Sequence, residues 1–294
     1  MSSSARARAD NPSMPSSPIP TMDSQGCVVS SLVIMTLPLS HRSRVLILGG
    51  TADASAIART IAAEPNIDAV LSFAGRTDHP KPPPIPFRVG GFGSVGGLVD
   101  YLRAERIERV VDATHPFAAQ MSRHAVIACA EAGVPLLALE RPAWQATTGD
   151  RWTEVDDLDQ AVGALGAAPQ RVFLGIGRQN LELFAAQPQH AYLVRLVDPP
   201  RGPLPLPNVD IVVARGPFNL AGDRALLRAH RTEIVVAKNA GGDAAVAKIT
   251  AARELGLPVI MVKRPAVPDR HCVATVADVM AWLGHDTAPE NRGV

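Results

Sequence analysis

The chain has 294 residues, with Lys plus Arg at 29 against Asp plus Glu at 28 and a formal net charge of +1. That balance lacks the one-signed basic face a dedicated nucleic-acid binder needs, and 4% aromatics leaves little for base-stacking platforms. With 47% apolar and 19% charged residues, the composition suffices for the cores of two ordinary domains.

In chain order, residues 1–42 read as a disordered leader, Ser- and Pro-rich with nothing periodic to bury. Its apolar stretch, 27–39, is broken by serines and a proline and is shorter than the roughly 20 residues of a membrane span. Too many polar residues precede it for a signal peptide. Met35 stands just before the first strand, and translation is expected to start there, with the upstream segment an extension. Cys27, Cys129 and Cys272 lie far apart with no CxxC, so neither a disulfide framework nor a zinc site is expected, and a reducing, cytoplasmic setting fits.

From Arg44 onward, apolar runs alternate with helical patterns. Strands are predicted at 45–48, 69–73, 109–111 and 135–139, with helices at 52–63, 97–106 and 118–132 between them. The second half predicts strands at 171–174, 191–196, 211–214, 233–237 and 259–262. Its helices fall after Gly177 to Ala186, at 244–255 and, closing the chain, at 276–283. Strands without polar alternation, separated by helices, predict parallel sheets covered on both faces. A faint repeat supports two related halves. Gly133-Val134-Pro135 runs to Arg141-Pro142 over the same eight-residue interval as Gly256-Leu257-Pro258 to Arg264-Pro265. The expected fold is therefore α/β, two Rossmann-like domains with open, mainly parallel sheets and a ligand cleft between them. The domains are assigned to 43–142 and 143–285, followed by a flexible tail at 286–294.

Open parallel sheets collect ligands at the carboxyl ends of their strands. Gly49-Gly50-Thr51 there opens the first helix, where backbone N–H groups and the helix dipole suit a phosphate. Against GxGxxG it keeps only the first glycine, so a plain capped turn is an equal reading. The second strand ends Ala74-Gly75-Arg76-Thr77 with no carboxylate for a ribose hydroxyl, and Arg76 stands where a 2′-phosphate would lie. Asp112, Thr114 and His115 emerge together from a buried strand, and His115 is open to two readings, acid/base or helix cap. Lys238 leaves a buried strand into Asn239-Ala240-Gly241-Gly242, a turn suited to an anion but not a Walker loop, because the Lys precedes the glycines. Gly175-Ile176-Gly177-Arg178 is a similar turn, and Arg141 and Trp144 stand at the domain boundary, placed either to grip a flat ligand or simply to pack. No Ser-His-Asp, Cys-His or paired-histidine metal spacing appears.

Taken together, Leu46-Ile47-Leu48-Gly49-Gly50-Thr51, Ser72-Phe73-Ala74-Gly75-Arg76-Thr77, Val111-Asp112-Ala113-Thr114-His115-Pro116-Phe117-Ala118, Arg141-Pro142 with Trp144, and Ala237-Lys238-Asn239-Ala240-Gly241-Gly242 resemble the precorrin-6A reductases of cobalamin biosynthesis. The resemblance runs from about Arg44 to Leu283. It implies NADPH-dependent hydride transfer to one double bond of the precorrin-6A macrocycle, giving precorrin-6B. By resemblance, Gly49, Gly50 and Thr51 hold the pyrophosphate, and Gly75, Arg76 and Thr77 hold the 2′-phosphate end. Asp112 and Thr114 border the nicotinamide. Lys238 and His115 are the catalytic candidates. Arg141, Trp144, Arg178, Lys238, Asn239, Gly241 and Gly242 are expected at the tetrapyrrole, with Lys248 and Arg264 as further cations. Ala240, where the family pattern is expected to have Ser, and Asp243-Ala244 after the glycines depart from that pattern, which bears on the fine shape of the turn and not on the assignment. No nucleic acid, membrane or metal is expected as a partner. The assembly is expected to be a monomer or weak homo-oligomer, open to channelling with neighbouring pathway enzymes. Two other classes fit the same features less fully: a nucleotide-sugar transferase with facing Rossmann-like domains, and a non-catalytic NADP-sensing module.

Overall fold

The structure is a computed structural model and describes residues 42–75 and 82–284. The first half runs β1 (Ser43–Leu48), α1 (Ala52–Ile61), β2 (Ile67–Phe73), β3 (Phe87–Val89), α2 (Val95–Ala104), β4 (Arg109–Asp112), α3 (Ala119–Ala132) and β5 (Leu136–Leu139). The second runs β6 (Arg151–Val155), α4 (Leu158–Ala164), β7 (Arg171–Gly175), a 3-10 turn (Leu181–Ala186), β8 (Ala191–Leu196) and β9 (Val209–Val213). It continues through α5 (Leu220–Ala229), β10 (Ile234–Lys238), α6 (Ala247–Glu254), β11 (Pro258–Val262), β12 (Cys272–Val273) and α7 (Val276–Gly284). None of these helices is long and apolar enough to cross a membrane.

The strands form two six-stranded sheets, ordered β12-β5-β4-β1-β2-β3 and β6-β11-β10-β7-β8-β9, and every pairing in them is parallel. The mixed α/β architecture with two Rossmann-like sheets agrees with the sequence reading. Each sheet is covered on both faces because alternate strand residues point to opposite sides. Val45, Ile47, Val111 and Leu137 pack with α1 and α7, and Leu46, Leu48 and Val110 with α2 and α3. In the second sheet Val172, Leu174, Val236 and Ile260 face α4 and the 3-10 turn, while Phe173, Val235, Val259 and Met261 face α5 and α6.

The two strand orders are the same series, β1 matching β7, β4 matching β10 and β5 matching β11. The faint sequence repeat falls on matching junctions, α3–β5 and α6–β11. Its glycines, Gly133 (φ +70°) and Gly256 (φ +66°), both turn left-handed at the end of a helix.

By that matching β6 closes the first series and β12 the second, yet each is paired in the other series' sheet. After β5 the chain crosses over and lays β6 beside β11; after β11 it crosses back and lays β12 beside β5. The closing helix, expected with the second half, instead packs on the first sheet. Val279 and Leu283 of α7 join the Ile57 and Ile61 core, and Arg109 donates to the Leu283 carbonyl at 2.5 Å. Other departures are local. The expected helix ending at Ala186 is a 3-10 turn. The short edge strands β3 and β12, the polar edge strand β6 and the helices α4 and α5 had no strong apolar signal; in α5 only Asp223 and Leu227 are buried.

Candidate functional site

The carboxyl end of β1 supplies the first component. Gly49 lies so close to β2 that a Cβ there would come within 2.6 Å of the Leu71 Cδ1, whereas Gly50 (φ +112°) has nothing within 4 Å of that position. The strand therefore ends in a turn whose backbone is open on one side. Thr51 caps α1, accepting from the Ala54 amide at 3.1 Å, and its hydroxyl donates to the Ala113 carbonyl at 2.8 Å, tying the turn to the loop after β4. A helix N-terminus with an open glycine turn is a receptive place for phosphate. Asp53 in the first turn opposes an anion there, but it is paired with Arg141 at 3.2 Å. Gly75 (φ +73°) ends β2's turn. Arg76 and Thr77 lie outside the described residues.

The loop after β4 supplies the second. Asp112 is 3% exposed. Its Oδ1 accepts from the Thr114 amide at 3.1 Å and hydroxyl at 2.7 Å, while its Oδ2 is buried with no hydrogen-bond partner. A buried carboxylate oxygen without a donor is costly, and a ligand hydroxyl or amide would relieve it. His115 Nδ1 accepts from the Phe117 amide at 3.2 Å, so the neutral ring carries its proton on Nε2. Burial, and then the charges of Arg141, Lys238, Lys248 and Arg264, push its pKa down to about 4. His115 is thus a neutral hydrogen-bond donor near pH 7, not a stored proton, which narrows the two readings open in the sequence.

The second sheet supplies the third. Lys238 ends β10, and its Nζ lies 5.4 Å from the centroid of the Phe117 ring, so the two sheets' loops meet face to face. Asn239 is spent differently from the expectation that it faces a ligand. Its Oδ1 accepts from the Trp144 amide at 2.8 Å, and its Nδ2 donates to the Trp144 carbonyl at 2.9 Å. The Trp144 indole donates to the Gly242 carbonyl at 2.8 Å. Gly241 and Gly242, both left-handed, are pressed against Pro142 with Arg264 and against Arg141 respectively, where a Cβ would collide. These glycines allow close approach between the linker and the turn; that is a packing reason for the Gly-Gly pair. Arg264 donates to the Asn239 and Glu140 oxygens at 3.0 Å each, and Arg270 to the second Glu140 oxygen at 3.0 Å.

A cleft of about 560 Å³ opens beside these parts, lined by Asp53, Arg141, Trp144, Gly242, Asp243 and Ala274 among others, while the Gly50 turn, the loop after β4 and Lys238 do not line it. It brings together the α1 turn, the linker and the second sheet's Gly-Gly turn. Arg178 is exposed on the turn after β7 and does not line it. Two contributors were given no ligand-site role from the sequence: Asp53, in the first turn of α1, and Glu140, adjacent to Arg141 just after β5. Among the described residues no group of three His, Cys, Asp or Glu is placed to hold a metal ion.

Residues 44–284 match the family model of the precorrin-6x reductase CbiJ/CobK. The chain is 58% identical over 253 residues to a precorrin-6A reductase of Rhodobacter capsulatus, covering 86% of this chain and 100% of that one. It is 46% identical over 249 residues to a precorrin-6A reductase of Sinorhizobium sp, covering 85% and 95%. A solved structure described as CobK precorrin-6A reductase superposes with a TM-score of 0.79 at 59% identity, over 82% of this chain and 96% of that one. Matched through both sheets and both crossovers, the chain belongs to the precorrin-6x reductase family.

Proposed function

We propose that this chain reduces precorrin-6A to precorrin-6B with NADPH, in the cytoplasm and within cobalamin biosynthesis. The observation that carries the reading is the meeting of His115, from the first sheet, with Lys238, Arg141 and Arg264 across the join of the two halves. A macrocycle rich in carboxylates suits scattered cations of this kind, and the reading also rests on family membership.

The nicotinamide cofactor fits the residues present: an open Gly50, a capped helix start at Thr51 and the unpartnered Asp112 Oδ2. Gly49, Gly50 and Thr51 would hold its pyrophosphate. Gly75, Arg76 and Thr77 would hold the 2′-phosphate end, and Asp112 and Thr114 would border the nicotinamide. When bound, the cofactor supplies hydride to one carbon of the conjugated ring, and a proton must reach the other.

The protein's own part is orientation and electrostatics. Lys238 holds a substrate carboxylate or steadies the charge that develops on the conjugated nitrogen system. His115 contributes a hydrogen bond from Nε2 and leaves proton delivery to solvent or to Lys238. Arg141 neutralises Asp53 beside the pyrophosphate. Trp144 and Arg178 contribute a wall and an outer cation, and Asn239, Gly241 and Gly242 fix the turn beneath the ring.

The test is a binding titration with NADPH and NADH on wild type and Arg76→Ala, followed by NADPH oxidation with precorrin-6A. Preference for NADPH that collapses in the variant, and turnover that needs the tetrapyrrole, support the reading. Binding of neither nucleotide overturns it.

A further inference from the structure

Lys248 stands in the first turn of α6 at 4% exposure, where a positive charge meets the positive end of the helix dipole. Its Nζ donates to the Ala245 carbonyl at 2.7 Å and lies 4.8 Å from the centroid of the Trp144 ring. Its Cδ and Cε fill the space over Gly175, where a Cβ would come within 3.0 and 3.1 Å of them. One lysine side chain therefore touches three pieces of chain that are remote in sequence: the end of β7 through its stem, and the linker carrying Trp144 and the turn leading into α6 through its amine. Trp144 is gripped by the same turn through Asn239 and Gly242, and it lines the cleft.

We propose that Lys248 is a positioning residue whose ammonium draws the Trp144 indole and the turn from Asn239 to Val246 into one wall of the cleft, and whose proton sets how firmly that wall is held. The inference rests on the cleft being the tetrapyrrole site only for its effect on the reaction; the link between Lys248 and Trp144 stands on contacts alone. An ammonium makes a charge-assisted bond to Ala245 and a cation–π contact with the indole, and a neutral amine keeps only a weaker hydrogen bond.

The surroundings favour a responsive amine. Arg195 of β8 opposes its charge and Asp223 of α5 supports it, and these two are themselves a buried ion pair. His115 is neutral above about 4 and adds no competing charge near neutrality. Burial, followed by Arg195, pushes the Lys248 pKa down to about 7, so the amine changes charge near neutral pH. A Gly at position 175 leaves room for this seat, because a methyl group there would press on the lysine stem and displace it slightly.

The test uses a protein carrying Trp152→Phe and Trp282→Phe, which leaves Trp144 as the single indole. Its emission is followed without ligand from mildly acidic to mildly alkaline pH, with circular dichroism and Tm as checks on folding. The expected result is one inflection near 7 that disappears in Lys248→Met. An inflection that persists unmoved in Lys248→Met, or its absence from the parent, overturns the proposal. Gly175→Ala is the second variant, should Lys248→Met fail to fold. It keeps the amine but displaces the stem, and the midpoint must move; an unmoved midpoint overturns the proposal. In the enzyme assay, Lys248→Met should flatten the rise of KM for the tetrapyrrole above neutral pH while changing kcat at the optimum less than KM. Loss of the emission inflection with an unaltered KM profile overturns the role in the reaction. Failure of every form to reduce precorrin-6A overturns the functional reading, while the emission inflection still decides whether Lys248 holds Trp144.

Discussion

Replacing Gly241 by alanine imposes two separate costs where the linker meets the second sheet's turn. Gly241 has φ +69°, and a Cβ there would run into the Pro142 carbonyl and the Arg264 guanidinium. A left-handed backbone costs a non-glycine residue about 1–2 kcal/mol, and overpacking adds about 1–3 kcal/mol. Relief is limited, since Pro142 offers a backbone atom and Arg264 is bonded to Asn239, Ala240 and Glu140. Gly256 is the internal control. It has nearly the same φ, +66°, with nothing within 4 Å of a Cβ, so Gly256→Ala bears the first cost alone. At roughly 2–4 °C per kcal/mol for a domain of this size, Gly256→Ala should lower Tm by about 4 °C and Gly241→Ala by about 10 °C. Scanning calorimetry, with urea midpoints as a second measure, reads the difference. Equal losses in the two variants would refute the steric account of the joint.

Two further outcomes follow from the same geometry. His115 has a folded pKa of about 4, below the usual histidine value near 6.5, so between those values the unfolded chain binds the extra proton and stability falls as pH drops. Accordingly, His115→Gln should reduce the slope of urea midpoint against pH in that window and leave it unchanged above, and an unchanged slope would exclude the buried neutral ring. Leu283→Ala removes a side chain at 5% exposure from the core beneath α1, at a cost of about 2–5 kcal/mol. Hydrogen exchange should then speed up first in α1 and β5 of the opposite half, and faster exchange centred on α6 and β11 would contradict the crossover.

Much of the fold was legible because buried parallel strands announce themselves as unbroken apolar runs. The run Val45-Leu46-Ile47-Leu48 and the run Val235-Val236-Ala237 are such strands. The repeat around Gly133 and Gly256 was legible for a similar reason, since ending a helix in a left-handed turn favours glycine wherever it occurs. The site was legible in its parts: Thr51 caps α1, Asp112 and His115 leave β4, and Lys238 ends β10. Their duties were less so. Asn239 looked like a ligand residue because a polar side chain after a buried strand carries the same signature whether it faces a substrate or a linker.

The sequence by itself determined the alternation of strand and helix, the two-sided burial of both sheets, and which residues lie at the strands' carboxyl ends. Each of these is set by period, capping and turn chemistry within a few residues. Only the tertiary structure decided that β6 and β12 trade places between the two strand series, that Asp53 meets Arg141, and that Lys248 fills the seat over Gly175 beside Trp144. These contacts join residues tens to hundreds of positions apart. No local pattern encodes them, because what selects them is the surface each half leaves uncovered once its own strands have paired.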